Sequence, residues 1–137
     1  MKYDDQDLRL AIQRLARRIR SMQADGEVTE GQRSVLFALA NNGKQTLGSL
    51  SEHERVTPPS MNRTVNALVA LTLVTRVTAS DDARKVTLDL SDAGREFIVE
   101  TRRRRDAWFT TVLAALPVQQ RSLLIDATPV LMELADQ

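Results

Sequence analysis

The sequence predicts a mainly α-helical fold with one small β-hairpin, and three observations carry that expectation. Apolar residues recur at three- and four-residue intervals through most of the 137 residues, the spacing of one face of a helix. Only two segments, 73–78 and 85–90, reach the density of β-branched residues expected of strands. Gly, Asn-Gly and Thr-Pro signals cut the periodic stretches into helix-sized pieces.

Leu8, Ile12, Leu15, Ile19 and Met22 form one apolar stripe with Arg9, Arg14, Arg17, Arg18 and Arg20 largely off it. This predicts an amphipathic first helix, stopped by Asp25-Gly26. Thr29-Glu30-Gly31-Gln32 reads as a capping box, in which the Thr hydroxyl and the Gln side chain satisfy amides that lack a partner inside the helix. Val28, Gln32, Val35, Leu36 and Leu39 carry the second helix to Asn41-Asn42-Gly43. Thr46 caps a short third helix with Leu47 and Leu50. Thr57 is a good N-cap, and Pro58 fits the first helical position, where its missing N–H costs nothing. Met61, Val65, Leu68 and Leu71 or Thr72 then define the buried face of a fourth helix. The strands 73–78 and 85–90 are joined by the polar connection 79–84. Ser91-Asp92-Ala93-Gly94 caps a long fifth helix whose stripe is Phe97, Ile98, Thr101, Trp108, Phe109, Val112, Leu113 and Leu116. Pro117 breaks it, and Leu123, Leu124, Ala127, Leu131 and Leu134 line a single last helix.

Short helix, tight turn, second helix and hairpin make a winged helix-turn-helix. Residues 29–90 form that unit; 1–28 supply an N-terminal dimerisation helix and 91–137 C-terminal dimerisation helices. The flanking stripes need a partner, and a second copy is the simplest one. The expected interface comprises Leu8, Ile12, Leu15, Ile19, Trp108, Phe109, Val112, Leu116, Leu124 and Leu131. A monomer that folds its termini back on the core is the alternative.

Composition narrows the function. Nineteen Lys and Arg against eighteen Asp and Glu give a net charge of +1, so neither a polycation nor an acidic tail is present. With no Cys and one His, thiol chemistry and a histidine-rich metal site in one chain are excluded. No apolar run has the length of a membrane span, and the first five residues are too acidic and polar for a signal peptide, so a cytoplasmic protein without membrane partners is expected. The charge is uneven: ten cations face six anions over 55–105, whereas 106–137 hold one cation and four anions. A basic middle suggests a polyanionic partner.

The fourth helix is where that partner would bind. On a 100° wheel Val65 and Leu68 lie within about 40° of Met61, while Pro59, Arg63, Asn66 and Ala70 lie roughly opposite, flanked by Ser60 and Asn62. Arg grips guanine bidentately, Asn grips adenine, and Ser reaches base or phosphate. A solvated helix face usually carries Glu and Lys, yet Pro58 to Thr72 contain no acidic residue. In the hairpin, Arg84 can enter the minor groove, whose negative potential favours it, with Asp82 orienting it and Lys85 alongside. The expected DNA-binding set is therefore Pro59, Ser60, Asn62, Arg63, Asn66, Asp82, Arg84 and Lys85. Without DNA behind it, Asp81-Asp82 would be turn chemistry and Arg84 a solubilising tip.

Val56-Thr57-Pro58-Pro59-Ser60-Met61-Asn62-Arg63-Thr64-Val65, then Leu73-Val74-Thr75-Arg76, Asp82-Ala83-Arg84 and Leu88-Asp89-Leu90-Ser91-Asp92-Ala93-Gly94 resemble the MarR family of bacterial transcriptional regulators, over about 29–95. The resemblance implies a homodimer on a pseudo-palindromic double-stranded DNA operator, often a repressor released by small aromatic or phenolic effectors, and no cofactor. It implies that Ser60, Asn62 and Arg63 occupy recognition-helix contact positions and Arg84 the wing tip, with Asp82 beside it. Three departures stand out. Thr72 replaces the usual Gly before the first strand, and because a β-branched residue resists the left-handed conformation, an altered turn is expected there. Leu50-Ser51 stands where Leu-Ala is usual, and no Cys is available for oxidation sensing.

Other features carry less. Arg102 to Arg105 sweep about 300° of a helix, so at least one turns toward a partner subunit or the DNA-binding unit. An effector carboxylate is a further use for that run. His53 lies between Glu52 and Glu54 on positions that diverge, which suits a surface residue better than a metal ligand. Trp108 and Phe109 suit interface core or an effector pocket. The five glycines are isolated and the single His has no evident partner, so no catalytic constellation is formed. The rival functions are a dimeric winged-helix module for protein partners and a small-ligand-binding protein without DNA binding.

Overall fold

The computed structural model describes residues 2–24, 26, 28–79 and 82–137, with the backbone alone at 79 and 82–84. In chain order the elements are α1 (Asp5–Arg20), α2 (Glu30–Asn42), α3 (Leu47–Glu54), α4 (Pro58–Ala70), β1 (Val74–Ala79), β2 (Asp82–Leu90), α5 (Asp92–Ala114), α6 (Val118–Asp126) and α7 (Thr128–Ala135). No helix among the described residues is long and apolar enough to cross a membrane.

Local chemistry starts most helices where the sequence places them. Thr29 accepts the Gln32 N–H while Gln32 accepts the Thr29 N–H, closing the expected capping box of α2. Gly43 ends that helix at φ 76°, which costs a residue without Cβ little. Thr46 caps α3 and Thr57 caps α4, each through its hydroxyl. Ser91 Oγ accepts the Gly94 N–H at the start of α5. At α1, Asp4 and Asp7 form a reciprocal capping box, and the donated Asp7 N–H holds the Asp4 carboxyl below its ordinary value.

The core of the Gln23–Arg102 unit contains Val35, Leu36 and Leu39 from α2, Leu50 from α3, Met61, Val65 and Leu68 from α4, Val74, Leu88 and Leu90 from the hairpin, and Phe97 and Ile98 from α5. Each fully buried aliphatic side chain contributes about 1.5–3 kcal/mol. β1 and β2 are antiparallel, with Val74 opposite Leu90, Arg76 opposite Leu88 and Thr78 opposite Val86. Gln45 adds a single bridge to Leu88, with N–H···O distances of 3.0 and 2.7 Å in the two directions. The Thr101 hydroxyl oxygen, itself buried, accepts the Ala24 N–H at 2.9 Å.

The second compact unit, Met1–Met22 with Arg103–Gln137, is built differently. No described residue of α1, α6 or α7 is buried. Trp108 and Phe109 have ring centroids 6.3 Å apart, and the Arg18 guanidinium lies over Trp108 at 5.4 Å.

Several expectations are corrected. α1 stops at Arg20, ahead of Asp25-Gly26; the Arg105 guanidinium takes the Met22 and Arg20 carbonyls at 3.1 and 3.3 Å, a cation at a helix C-terminus. Asp25 lies outside the described residues. Val28 precedes α2 and is buried in front of it. Leu71 and Thr72 are exposed, because α4 ends at Ala70 and the chain turns away.

Thr72 takes the left-handed conformation, φ 63°, despite its branched Cβ. Thr72 N–H bonds the Val69 carbonyl and Leu73 N–H the Leu68 carbonyl, the Schellman pattern that Gly would normally close. The turn is therefore kept rather than altered. Ser91 clamps it, its hydroxyl donating to the Thr72 carbonyl at 2.5 Å and its N–H to the Leu73 carbonyl at 3.1 Å. Gly94 packs so tightly behind it that a Cβ would run into the Leu73 carbonyl oxygen.

The strands extend into the expected connection: β2 begins at Asp82, and Ala79 pairs with Asp82 after a register shift beyond Thr78. The last helix is two, α6 and α7, parted at Ala127. Pro129 explains the break, since it offers no N–H to the Ile125 carbonyl and its ring crowds that oxygen.

Candidate nucleic-acid interface

The site is built by burying one face of α4 so that the other is presented. Met61, Val65 and Leu68 anchor the helix in the core, while Pro59, Asn62, Arg63 and Asn66 are exposed and Ser60 is half-buried. Thr57 satisfies the Ser60 amide, and Pro58 and Pro59 occupy the first helical positions, so the first turn is rigid without a charged cap. Pro58 and Pro59 carry no N–H and the Ser60 amide is already taken, so this terminus presents side chains rather than free backbone donors. With no carboxylate between Pro58 and Thr72, nothing on α4 opposes an approaching phosphate.

Asn62 and Asn66 lie one helical turn apart on the side of α4 that faces the hairpin. The Arg76 guanidinium, from β1, donates to Asn66 Oδ1. Arg76, Asn62, Leu47, Val65, Val86 and Leu88 line a cleft of about 210 Å³. The structure thus brings Asn62 and Asn66 together with a cation that sequence reasoning left out. Its signal was there: the two-residue alternation of a strand puts Arg76 on the same face as the buried Val74.

Lys85 is exposed on β2. The side chains of Asp82 and Arg84 lie outside the described residues, so the expected pairing at the wing tip rests on sequence; their backbone belongs to β2. His53 is exposed on α3. Arg102 donates to Asn41 Oδ1 at 3.1 Å and stacks its guanidinium 5.7 Å from the Phe37 ring centroid, fastening α5 to α2. Arg105, as described, closes the end of α1. Two of the four consecutive arginines therefore have structural partners of this kind.

Comparison with known proteins agrees with this geometry. The model of the MarR family matches residues 28–86, from the approach to α2 into β2. An uncharacterized HTH-type transcriptional regulator of Mycobacterium leprae and an HTH-type transcriptional regulator of Mycobacterium tuberculosis are each 37% identical over 131 residues, covering 96% of this chain and 92% of theirs. The crystal structure of a transcriptional regulator from Thermotoga maritima superposes with a TM-score of 0.79 at 19% identity, covering 96% of both chains. The similarity to the mycobacterial relatives spans the flanking helices as well as the winged unit. A winged helix-turn-helix with an acid-free, exposed second helix, matched along nearly its whole length by HTH-type regulators, places this chain in the MarR family of DNA-binding transcriptional regulators.

Proposed function

We propose that the protein is a homodimeric repressor of a pseudo-palindromic operator, modulated by a small ligand. The observation that carries the proposal is the α4 surface, where Pro59, Ser60, Asn62, Arg63 and Asn66 sit without an acidic neighbour over a rigidly buried opposite face. In this role α4 enters the major groove, and Arg84 with Asp82 and Lys85 reaches the neighbouring minor groove.

Dimerisation is supported by what the terminal helices leave uncovered. Leu8 is 55% exposed, and Ile12, Leu15, Leu124 and Leu131 are each above 40%. α6 and α7 have nine and eight residues, below the length at which an isolated helix holds in water. A second copy covering α1, the end of α5, α6 and α7 would remove this surface from water; Ile19, Trp108, Phe109, Val112 and Leu116, half-buried, complete the seam. Two recognition helices about one DNA turn apart then set the half-site spacing. A small aromatic or phenolic effector would act by binding one dimer geometry better than the other.

DNase protection upstream of the gene, with a transcriptional reporter, tests this. Two protected half-sites about one turn apart, reporter activity that rises on deletion of the gene, and release of protection by an aromatic acid are the expected results. Activity that falls on deletion would replace repression by activation. A single unpaired half-site bound by one chain would overturn the dimer.

A further inference from the structure

We infer that Arg76 sets what Asn66 can read: by holding the amide oxygen, it leaves Asn66 to face the major groove as a hydrogen-bond donor alone. The inference rests on the DNA-reading role of α4 proposed above.

Arg76 donates to Asn66 Oδ1. A guanidinium carries donors and no acceptor, so the amide atom it meets must be the oxygen, and the amide orientation is fixed with the NH2 group pointing away. Reading adenine takes both ends of an Asn side chain, Oδ1 accepting from N6 while Nδ2 donates to N7. With Oδ1 engaged, the second lone pair does not restore adenine reading, because the N6 amino group would have to enter beside a cation with only donors of its own. Nδ2 remains for an acceptor, which in the major groove means guanine N7 or O6, thymine O4 or adenine N7; at adenine the N6 amino group is left facing the guanidinium with no acceptor, so guanine and thymine are preferred.

The holding residue is itself held. Arg76 sits opposite Leu88 in the hairpin ladder, and the buried Val74 and Leu88 fix that stretch of backbone. Arg76 projects from β1 and lines the cleft shared with Leu47, Asn62 and Val65, so it meets Asn66 from the wing side of the recognition helix. Arg76 is thus a positioning residue for Asn66, and the operator position beneath Asn66 carries guanine or thymine on the contacted strand.

The test is selection of binding sites from a randomised duplex pool by wild type, Asn66→Ala, Arg76→Met and Arg76→Lys, with a thermal melt of each to establish folding. Wild type is expected to prefer guanine or thymine over adenine at one position that Asn66→Ala flattens. Arg76→Met keeps the stem and removes every donor, so the same position should shift toward adenine by roughly tenfold, within the range of one bidentate contact. Arg76→Lys, which can still donate to Oδ1, should restore the wild-type preference there. Should Arg76→Met melt early, Arg76→Ala is read in the same way. Adenine at the Asn66 position in wild type overturns the inference. So does an Arg76→Met profile that loses affinity uniformly and keeps every base preference, which would make Arg76 a phosphate contact only. Absence of any sequence preference in wild type overturns the operator-binding proposal with it, so the two failures are distinguishable.

Discussion

Thr72 shows how a single residue can hold a geometry that its side chain opposes. The left-handed conformation costs a branched residue about 1–2 kcal/mol, and the turn persists because the Schellman bonds and the Ser91 clamp determine it from both sides. Thr72→Gly should raise stability by about 0.5–1 kcal/mol, the strain relieved less the greater freedom of Gly in the unfolded chain. Urea denaturation checks it, and an unchanged or lower midpoint would mean the clamp carries no strain. At the wing, Arg84→Ala should weaken operator affinity by about 1–3 kcal/mol, the scale of one groove contact. Unchanged affinity in a folded variant would take Arg84 out of the interface.

At the scale of elements, the sequence was most legible where side chains speak to their own backbone. Thr29, Thr46, Thr57 and Ser91 each cap the helix they announce. It was least legible where distant parts decide. The end of α1 answers to Arg105, 85 positions away from Arg20 in sequence, and no local pattern reports that. The division of α6 from α7 was legible, because Pro129 is in plain view, but the apolar stripe across it suggested one helix. For the site, helical spacing alone separated the buried from the exposed face of α4, whereas Arg76 entered only when the hairpin was laid against it. A paired substitution at the N-cap separates fold from function here. Thr57→Asp caps as well as Thr and should leave stability within about 0.5 kcal/mol, yet it puts a carboxylate where phosphate approaches and should weaken DNA binding. Thr57→Ala should cost about 1 kcal/mol of stability. Thermal melts with DNA titrations check both; equal affinities for Thr57→Asp and wild type would move the DNA away from this terminus.

At the scale of the whole molecule, one unit carries the buried core and the other presents apolar surface with no buried residue in α1, α6 or α7. Leu15→Glu should therefore impair dimerisation, since a carboxylate would enter a desolvated seam at several kcal/mol; a variant that sediments as a dimer would contradict the assigned seam. The net charge of +1 conceals the basic stretch 55–105, so affinity should come largely from phosphate neutralisation and choice of site from α4. The most direct measurement is fluorescence anisotropy of the purified protein on duplex DNA from upstream of its gene, beside a scrambled duplex, across a salt series. Sequence-specific operator binding requires tight binding of two chains per upstream site, much weaker binding to the scrambled duplex, and log affinity falling linearly with log salt concentration. Equal binding to both duplexes, or none at low salt, would contradict it.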